Sequence, residues 1–430
     1  MGIFNVLQYG AKADGIGNDG PAIQRAIDAC TESGGGTVVV PAGKTFLSGS
    51  IMLKSRVNLH LEPGSRVMAS LKEEDYANRI LLESIRAQDI SLTGTGCLDG
   101  RARDFRWGEL PHIYRCRPWL RMVGFTGCRG VVVRDVTLRD SSFWGMHLTG
   151  CENVVVHGIT ILNDLKQPNC DGIDPDRCRN VRISDCHIEA GDDCICLKSS
   201  PEFADYGVTE NITVTGCTLI STSCAIKIGS ATVGDIRDVV FDACVIKASN
   251  RGLGVQHRDG GNVENILFSN IIVETRLFHD IWWGKAEPIY VTAFNRTPGA
   301  PLGRLRNIRF SNILARSENG AYISGCPDCV PEGILLENVQ VEINKWSNYS
   351  GGFYDRRPCA AEGIIAHRNA GFFVNDARDV VLRNCRVGWG ENRPEYYGHA
   401  LESHRVQDLV VENFRGEAAH PERDTAQLID

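Results

Sequence analysis

Three aspartates in two short motifs have the side chains and the spacing that acid–base chemistry requires. Asp171 lies in the segment NCDGID, and Asp192 and Asp193 lie in the segment GDDCICLK, 21 and 22 residues further along the chain. Neighbouring ionised carboxylates repel each other, which raises the pKa of at least one and leaves a proton donor beside a base. Glycoside hydrolysis needs such a pair. The alternative interpretation is that these are turn aspartates or calcium ligands.

An internal repeat predicts how these motifs are positioned. The segments CRGVVVRDVTL, CENVVVHGITI and CRNVRISDCHI begin at Cys128, Cys151 and Cys178, so successive copies start 23 and 27 residues apart. Each copy alternates β-branched and polar residues on both sides of a turn, which is typical of short strands. Units this small cannot bury a face alone and must stack. The two aspartate motifs, one coil apart, are therefore expected on neighbouring rungs about 4.8 Å apart.

We therefore predict an all-β fold, a single-stranded right-handed parallel β-helix. A β-sandwich is the alternative, but sandwich strands lack this regular spacing. Asparagines recur at one position of the repeat and are candidates for stacked turn ladders: Asn153, Asn180, Asn211, Asn265 and Asn307.

The residues before the repeat follow a helical pattern. Helical spacing places four apolar residues on one face: Ile23, Ala26, Ile27 and Cys30. Asp19 precedes them as a candidate N-cap and a run of three glycines follows, which predicts a helix over about 18–33 that covers the open end of the β-helix. No linker is evident, so we expect one domain over 1–430. Two longer spacings predict insertions that line a cleft, at about 273–304 and 344–376.

Composition narrows the class of partner. The net charge of −7 argues against a nucleic-acid-binding protein, and no apolar run is long enough to cross a membrane. We expect an oligosaccharide as the partner, no cofactor and no metal; the oligomeric state stays open. The 17 cysteines lack disulfide-scaffold spacing, and the start of the chain lacks a signal-peptide pattern. This combination predicts a cytoplasmic protein, although a trimmed secreted form also fits.

The motifs resemble those of glycoside hydrolase family 28, the polygalacturonases and their relatives, over residues 4 to about 270. The segments FNV, YGA, RP and SFW match the pattern of this family, NCDGID resembles its Asn-Thr-Asp-Gly motif, and GDD is its Gly-Asp-Asp motif. The resemblance implies hydrolysis with inversion. It assigns the general acid to Asp192, and the positioning and deprotonation of water to Asp171 and Asp193. Acid and base are then expected about 6.5–9.5 Å apart.

Two further family motifs are altered in this chain. The Gly-His-Gly motif falls at SCA, with Cys224 in place of the histidine, and the Arg-x-Lys motif falls at GVQ, with Gln256 in place of the lysine. Strand alternation predicts that Lys227, Gln256 and Arg258 point outward, so that Lys227 and Arg258 restore positive charge near the acid. His257 is expected to point inward. The alternative for Lys227 is a solvated surface lysine.

Two adjacent tryptophans lie in the first insertion, and we expect one of them to stack on a sugar ring. The complete set of predicted substrate-binding residues is Asn169, Lys198, Cys224, Lys227, Gln256, Arg258, Trp282 and Trp283. Insertions that wall the cleft favour exo-action, so the predicted function is an inverting, exo-acting hydrolase of pectin-derived or related oligosaccharides. A β-helix polysaccharide lyase or epimerase, and a non-catalytic carbohydrate-binding relative, are the alternatives.

Overall fold

The computed structural model describes residues 2–430, with the side chains of all of them except residues 107 and 109. Nearly all regular structure is parallel strand, and the fold is the predicted right-handed parallel β-helix. The chain divides into two compact units. The first holds the residues up to Asp192 together with Asp205–Gly207, and the second holds Asp193–Ala204 and Val208–Asp430. The single domain expected over 1–430 stays a prediction.

The first unit contains the only long helix in the described part of the chain, Gly20–Glu32, close to the predicted range. Its short 3-10 segments are Val6–Tyr9, Glu73–Asp75 and Ala102–Phe105. Its strands are Gly2–Asn5, Asp14–Asn18, Gly36–Val40, Thr45–Ser48, Ile51–Met52, Val57–Leu61, Arg66–Ala69, Ile80–Ile85, Gln88–Gly94, Cys97–Asp99, Arg106–Leu110, Ile113–Cys116, Arg121–Thr126, Arg129–Arg134, Thr137–Arg139, Met146–Thr149, Glu152–His157, Thr160–Leu162, Ile173–Asp176, Arg179–Ser184 and His187–Ala190.

The helix buries the face that the apolar spacing predicts. Ile23, Ala26, Ile27 and Cys30 have no exposed surface, and the helix packs against the first strands of the β-helix. Asp19 occupies the predicted N-cap position, but its side chain makes no capping hydrogen bond. Its carboxylate instead accepts hydrogen bonds from the backbone N–H groups of Lys12 and Ala13 in the preceding turn, at 2.7 and 3.0 Å.

The three repeat copies stack in register in the first unit. Val131 pairs with Val154, which pairs with Val181, and all three are buried. Between the last two copies, Asn180 donates through Nδ2 to Oδ1 of Asn153 at 3.2 Å, with positive φ angles of 56° and 57°. This left-handed turn is one that asparagine tolerates better than most residues, and the predicted ladder is confirmed for this pair.

The second unit has the same coil pattern with longer strands. The 3-10 segment Pro201–Tyr206 has only its first four residues in this unit. Its strands are Ile195–Ser199, Thr209–Thr215, Thr218–Ser221, Cys224–Thr232, Ile236–Asp242, Val245–Ser249, Arg251–His257, Val263–Thr275, Ile289–Ala293, Leu305–Ser317, Ala321–Ser324, Glu332–Ile343, Phe353–Asp355, Ile364–Ala366, Phe372–Arg383, Arg386–Trp389, Leu401–Glu412 and Gln427–Ile429.

Asparagine stacks also run through the second unit. Asn307 donates to Asn265 at 2.7 Å, which confirms that predicted pair. A second stack, which the sequence reasoning missed, joins five residues at 2.8–3.2 Å per step: Asn270, Asn312, Asn338, Asn384 and Asn413. Asn211 has the same left-handed backbone, with φ of 56°. These side-chain amides donate and accept hydrogen bonds from coil to coil, as expected for stacked asparagine turns.

The two predicted insertions are loops of the second unit. The first follows Val263–Thr275 and continues on both sides of Ile289–Ala293, and the second follows Glu332–Ile343. The second insertion contains a separate two-stranded antiparallel sheet, Phe353–Asp355 with Ile364–Ala366. No helix in the described part of the chain is long and apolar enough to cross a membrane.

Candidate active site

The first unit contributes Asp171 and Asp192. One carboxylate oxygen of each lies within 4.8 Å of the other, so the structure brings the two together as the coil spacing predicts, and at closer range than the roughly 6.5–9.5 Å expected between acid and base. Asp171 is buried and Asp192 is half-buried. Asn169, a predicted substrate contact, instead donates its backbone N–H and its Nδ2 to Oδ2 of Asp192, at 3.1 and 3.3 Å. Asn169 therefore orients the Asp192 carboxylate.

A glycine allows the two motifs of the first unit to approach closely. A Cβ atom at Gly191 would collide with the backbone carbonyls of Asp164 and Gln167 and would lie 3.0 Å from Sγ of Cys170. The Gly191 N–H donates to that sulfur at 3.2 Å. Only glycine permits this packing, which explains why a glycine precedes Asp192 in the motif.

Asp193, the next residue in the chain, is a buried carboxylate of the second unit. Its Oδ1 accepts hydrogen bonds from the Ser223 hydroxyl at 2.9 Å and from the Cys224 backbone N–H at 3.2 Å. Its Oδ2 accepts one from Nζ of Lys227 at 2.7 Å. Burial alone would raise the pKa of Asp193, but the charges of Lys227 and Lys198 and these hydrogen bonds hold it below its ordinary value. These contacts favour the ionised form of the Asp193 carboxylate.

The position of the missing histidine has a structural rather than an acid–base role. The Cys224 thiol donates to the carbonyl of Ile226 at 3.1 Å and is nearly inaccessible. Burial, and then the charge of Asp193, raise the pKa of this thiol, so it stays neutral. Cys224 reaches Asp193 through its backbone alone, and the structure does not present its side chain to a sugar.

Lys227 lies beside the position at which the altered Arg-x-Lys motif lacks its arginine. Strand register pairs Lys227 with Gly254, the residue that stands where the family has arginine. With no side chain at Gly254, the cation nearest to Asp193 comes from the neighbouring rung. Lys227 is not the solvated surface lysine of the alternative interpretation, because only 12% of its side chain is exposed. Lys198 is also buried, and its charge acts on Asp193.

Gln256 and Arg258 do not occupy the open, outward positions that strand alternation predicts. Gln256 is 1% exposed and donates through Nε2 to the carbonyl of Arg357 at 2.8 Å. The Arg258 guanidinium is fully buried and donates to the carbonyls of Arg356 and Pro358, at 2.9 and 2.6 Å. Both predictions of sugar contact were wrong, because the second insertion covers this part of the coil and takes up their donors.

Arg258 also binds the coil itself, so it joins the second insertion to the strands beneath. Its Nη1 donates to the carbonyls of His257 and Thr292, at 2.7 and 3.2 Å, and its Nη2 donates to the Thr292 hydroxyl at 3.0 Å. Arg251 has a similar role: it pairs with Glu287 of the first insertion and donates to the carbonyl of Asp355 in the second. Buried arginines therefore hold both insertions in place.

The two tryptophans of the first insertion differ in exposure. Trp282 is 7% exposed, and its carbonyl accepts a hydrogen bond from Nη2 of Arg357 at 3.0 Å. Trp283 is 40% exposed, with the Arg357 guanidinium 5.9 Å from its ring centroid. Trp283 is thus the one that retains a face for a sugar, and Trp282 anchors the loop.

A row of buried aromatic side chains, here called the covered floor, adjoins Lys227 and Gly254. The sequence analysis did not predict it. Strand register continues their row through Tyr290, Tyr322 and Phe373, which are 1%, 1% and 5% exposed. Tyr354 of the second insertion stacks on Tyr322, with ring centroids 4.2 Å apart. The signal was present, since an aromatic residue recurs at the outward position of three successive strands. The second insertion closes the floor of the second unit beyond Gly254.

Carboxylates as close as those of Asp171 and Asp192 could also hold a divalent cation. The same pair suits acid–base chemistry, and the lysine that neutralises Asp193 supplies positive charge from the protein itself. The arrangement therefore provides a base that is ionised and a second carboxylate that amide donors orient.

Comparisons with known proteins identify the family. The family model for glycosyl hydrolases family 28 matches residues 30–350. A probable polygalacturonase of Vitis vinifera is 27% identical over 374 residues, which are 79% of this chain and 74% of that protein. An exopolygalacturonase of Zea mays is 25% identical over 368 residues, 81% of this chain and 85% of that protein.

Solved structures show the same fold. An exopolygalacturonase from Thermotoga maritima superposes with a TM-score of 0.67 at 25% identity, over 80% of this chain and 87% of that one. A family 28 exopolygalacturonase of Yersinia enterocolitica gives 0.70 at 19% identity, over 96% and 78%. A mannuronan C-5 epimerase module of Azotobacter vinelandii gives 0.54 at 14% identity and shares the fold alone. The chain belongs to glycosyl hydrolases family 28 and is a polygalacturonase-like glycosidase with altered Gly-His-Gly and Arg-x-Lys motifs.

Proposed function

We propose that this glycosidase hydrolyses pectin-derived or related oligosaccharides from a chain end, with inversion. The observation that carries the proposal is the buried Asp193 carboxylate, whose oxygens accept hydrogen bonds from Nζ of Lys227 and the hydroxyl of Ser223. An inverting hydrolase needs a base of this kind to activate water beside a separate acid.

The proposed reaction divides the carboxylates by role. Asp193, with Asp171, holds a water molecule and accepts its proton as the water oxygen attacks the anomeric carbon. Asp192, in its protonated form, donates a proton to the glycosidic oxygen as the bond to the leaving sugar breaks. Asn169 orients Asp192 for this transfer. Attack opposite the leaving group inverts the anomeric configuration.

The exo-acting part of the proposal rests on the covered floor of the second unit. A polysaccharide bound along its interior needs an open groove on both sides of the cleaved bond. Beyond Gly254 the row of Tyr290 and Tyr322 is buried under Tyr354, so a sugar chain has no surface to follow there. The expected substrate therefore ends at this wall.

An oligosaccharide panel with the wild type and Asp192→Asn tests the function, with the product anomer followed by NMR. We expect turnover in the wild type, release of single sugars from one end, and a loss of at least about 1,000-fold in the variant. A product with the retained anomer would contradict inversion. Ultraviolet absorbance from an unsaturated sugar would indicate a lyase instead. Binding without turnover on any substrate would leave a carbohydrate-binding protein.

We also propose that the enzyme works in a reducing compartment, the cytoplasm. All 17 cysteines are free thiols, and most are buried in the coils. Buried thiols behave as small apolar side chains and persist where disulfides do not form. Titration of the denatured protein, purified from its own cells without reductant, is expected to give 17 reactive thiols. Fewer thiols would contradict this location.

A further inference from the structure

The first unit contains a pocket that is lined by only one of the predicted site residues, Asn169. The cavity measures about 320 Å³ and lies between a hairpin and the segment that carries the NCDGID motif. Its polar and aromatic lining comprises Tyr114, Arg115, Arg117, Trp119, Gln167 and Asn169. Two arginines and two aromatic rings in one pocket form a surface that suits an anionic, ring-shaped ligand.

The walls of this pocket are held by buried hydrogen bonds. The Tyr114 N–H of the hairpin donates to the carbonyl of Lys166 at 2.8 Å, and Sγ of Cys116 donates to Oε1 of Gln167 at 2.7 Å. Gln167 is 2% exposed, and its Nε2 donates to the carbonyl of Ser142 at 3.3 Å. The hairpin is thereby attached to the loop that leads to Asp171.

An aromatic stack forms one side of the pocket. Trp119 stacks on Phe143 with centroids 5.6 Å apart and an interplanar angle of 16°, and Phe143 stacks on Trp144 at 5.0 Å and 18°. Trp119 is the outer ring and is 49% exposed. The Arg117 guanidinium lies 5.7 Å from the Trp119 centroid. The stack fixes the Trp119 ring in place beside a cation.

Asn169 connects this pocket to the candidate active site. This residue lines the pocket and also donates two hydrogen bonds to Asp192. A sugar in the pocket is therefore adjacent to the carboxylate proposed as the acid.

We propose that this pocket is a subsite for a uronate residue next to the cleaved bond, with Arg117 and Arg115 binding its carboxylate and Trp119 supporting the face of its ring. The inference rests on the proposed function and specifies its substrate class. It explains how a chain without the Arg-x-Lys cations of its family retains an acidic sugar, because the positive charge comes from the hairpin side of the first unit.

Calorimetry on the full-length Asp192→Asn protein tests the subsite without turnover. The probes are trigalacturonate and the same trisaccharide with its carboxyl groups reduced to neutral galactose. We expect trigalacturonate to bind at least about tenfold more tightly than the reduced form, since charge-assisted hydrogen bonds to arginine are lost in the latter. Adding Arg117→Met is expected to remove most of that difference, whereas adding Trp119→Ala weakens both ligands by about tenfold.

Two controls accompany these variants. Arg134→Met removes an exposed arginine from a strand of the same unit outside the pocket, and it is expected to leave both dissociation constants unchanged. Trp119→Phe keeps an aromatic face and is expected to recover most of the binding lost in Trp119→Ala. Unchanged thermal unfolding of each variant shows that the fold is intact.

Equal binding of the acidic and neutral trisaccharides would overturn the subsite, as would parental affinity in both Arg117→Met and Trp119→Ala. The failure of this inference and that of the proposed function are distinguishable. If the wild type turns over no substrate but the binding pattern appears, the subsite stands and hydrolysis falls. If turnover occurs without the binding pattern, hydrolysis stands and the subsite falls.

Discussion

Replacing Lys227 by methionine should move the acidic limb of the activity profile. Nζ of Lys227 lies 2.7 Å from Oδ2 of Asp193, and the two side chains are 12% and 2% exposed. Charge centres about 4 Å apart attract by about 4 kcal/mol at an effective dielectric constant of about 20. Lys198 still acts on Asp193, so we expect a net loss of about 3 kcal/mol of this attraction and a rise in the pKa of the carboxyl.

The sign of the effect follows from the required ionisation. The pKa of Asp193 lies below its ordinary value in the native protein, so the base stays ionised to low pH. Without Lys227 it takes up a proton at higher pH, and kcat/KM falls tenfold for each pH unit below the new pKa. With about 3 kcal/mol of the attraction lost, kcat/KM falls by about 100-fold at pH values below the shifted limb and changes little at pH values well above it.

The assay is kcat/KM for a cleaved oligosaccharide between about pH 3 and pH 8, for the wild type, Lys227→Met and Lys227→Arg. The arginine variant keeps the charge and should keep the limb within about one unit. Removing one partner of a buried pair costs about 3–5 kcal/mol of stability, so circular dichroism must show that each variant is folded at every pH used. An unshifted limb in folded Lys227→Met would refute the assignment of Asp193 as the base that Lys227 keeps ionised.

Three further predictions concern stability and metal dependence. Arg258→Met should lower the free energy of unfolding in urea by roughly 3 kcal/mol and speed proteolysis of the second insertion, because the carbonyls of Arg356 and Pro358 lose their donor; unchanged values would contradict its role as a clamp. Burial lowers the pKa of His257 to about 4, so between about pH 6.5 and pH 4 the unfolded chain binds a proton that the folded one does not, and stability falls by about 3 kcal/mol as the pH drops; His257→Gln should show a shallower slope, and an identical slope would count against this assignment. Chelation with EDTA should leave turnover unchanged, whereas a loss that calcium reverses would indicate a cation at Asp171 and Asp192.

The sequence predicted the coils of the β-helix better than it predicted which parts of the coils the insertions cover. Alternation within strands is a local property, so the buried valines and the left-handed asparagine turns followed from single repeats. Whether an outward residue meets solvent depends on loops distant in sequence. Arg258 shows the difference, because its partners at Arg356 and Pro358 lie 98 and 100 residues further along the chain.

The candidate site shows the same limit in another form. The aspartate motifs follow from spacing and resemblance, and Lys227 follows from alternation. One of the hydrogen bonds to the Asp193 carboxylate comes from the Cys224 backbone N–H. Any residue but proline supplies that donor. The identity of residue 224 therefore could not predict its hydrogen bond to Asp193. His257, which was expected to point inward, is fully buried, with its Nε2 3.0 Å from the carbonyl of Gly303.

The asparagine stacks separate the spacing of the coils from the length of chain between them. Asn312 and Asn338 are joined across 26 residues, whereas Asn338 and Asn384 are joined across 46, with bonds of 3.0 and 3.2 Å. The additional residues leave the coil as a loop and return to the same register. For evolution and for design, such loops are exchangeable parts on a scaffold of constant pitch. Trimming the one that carries Tyr354 would uncover the aromatic row beneath it, while the scaffold keeps its register; under the proposed exo-action, the shortened protein should gain access to chain interiors.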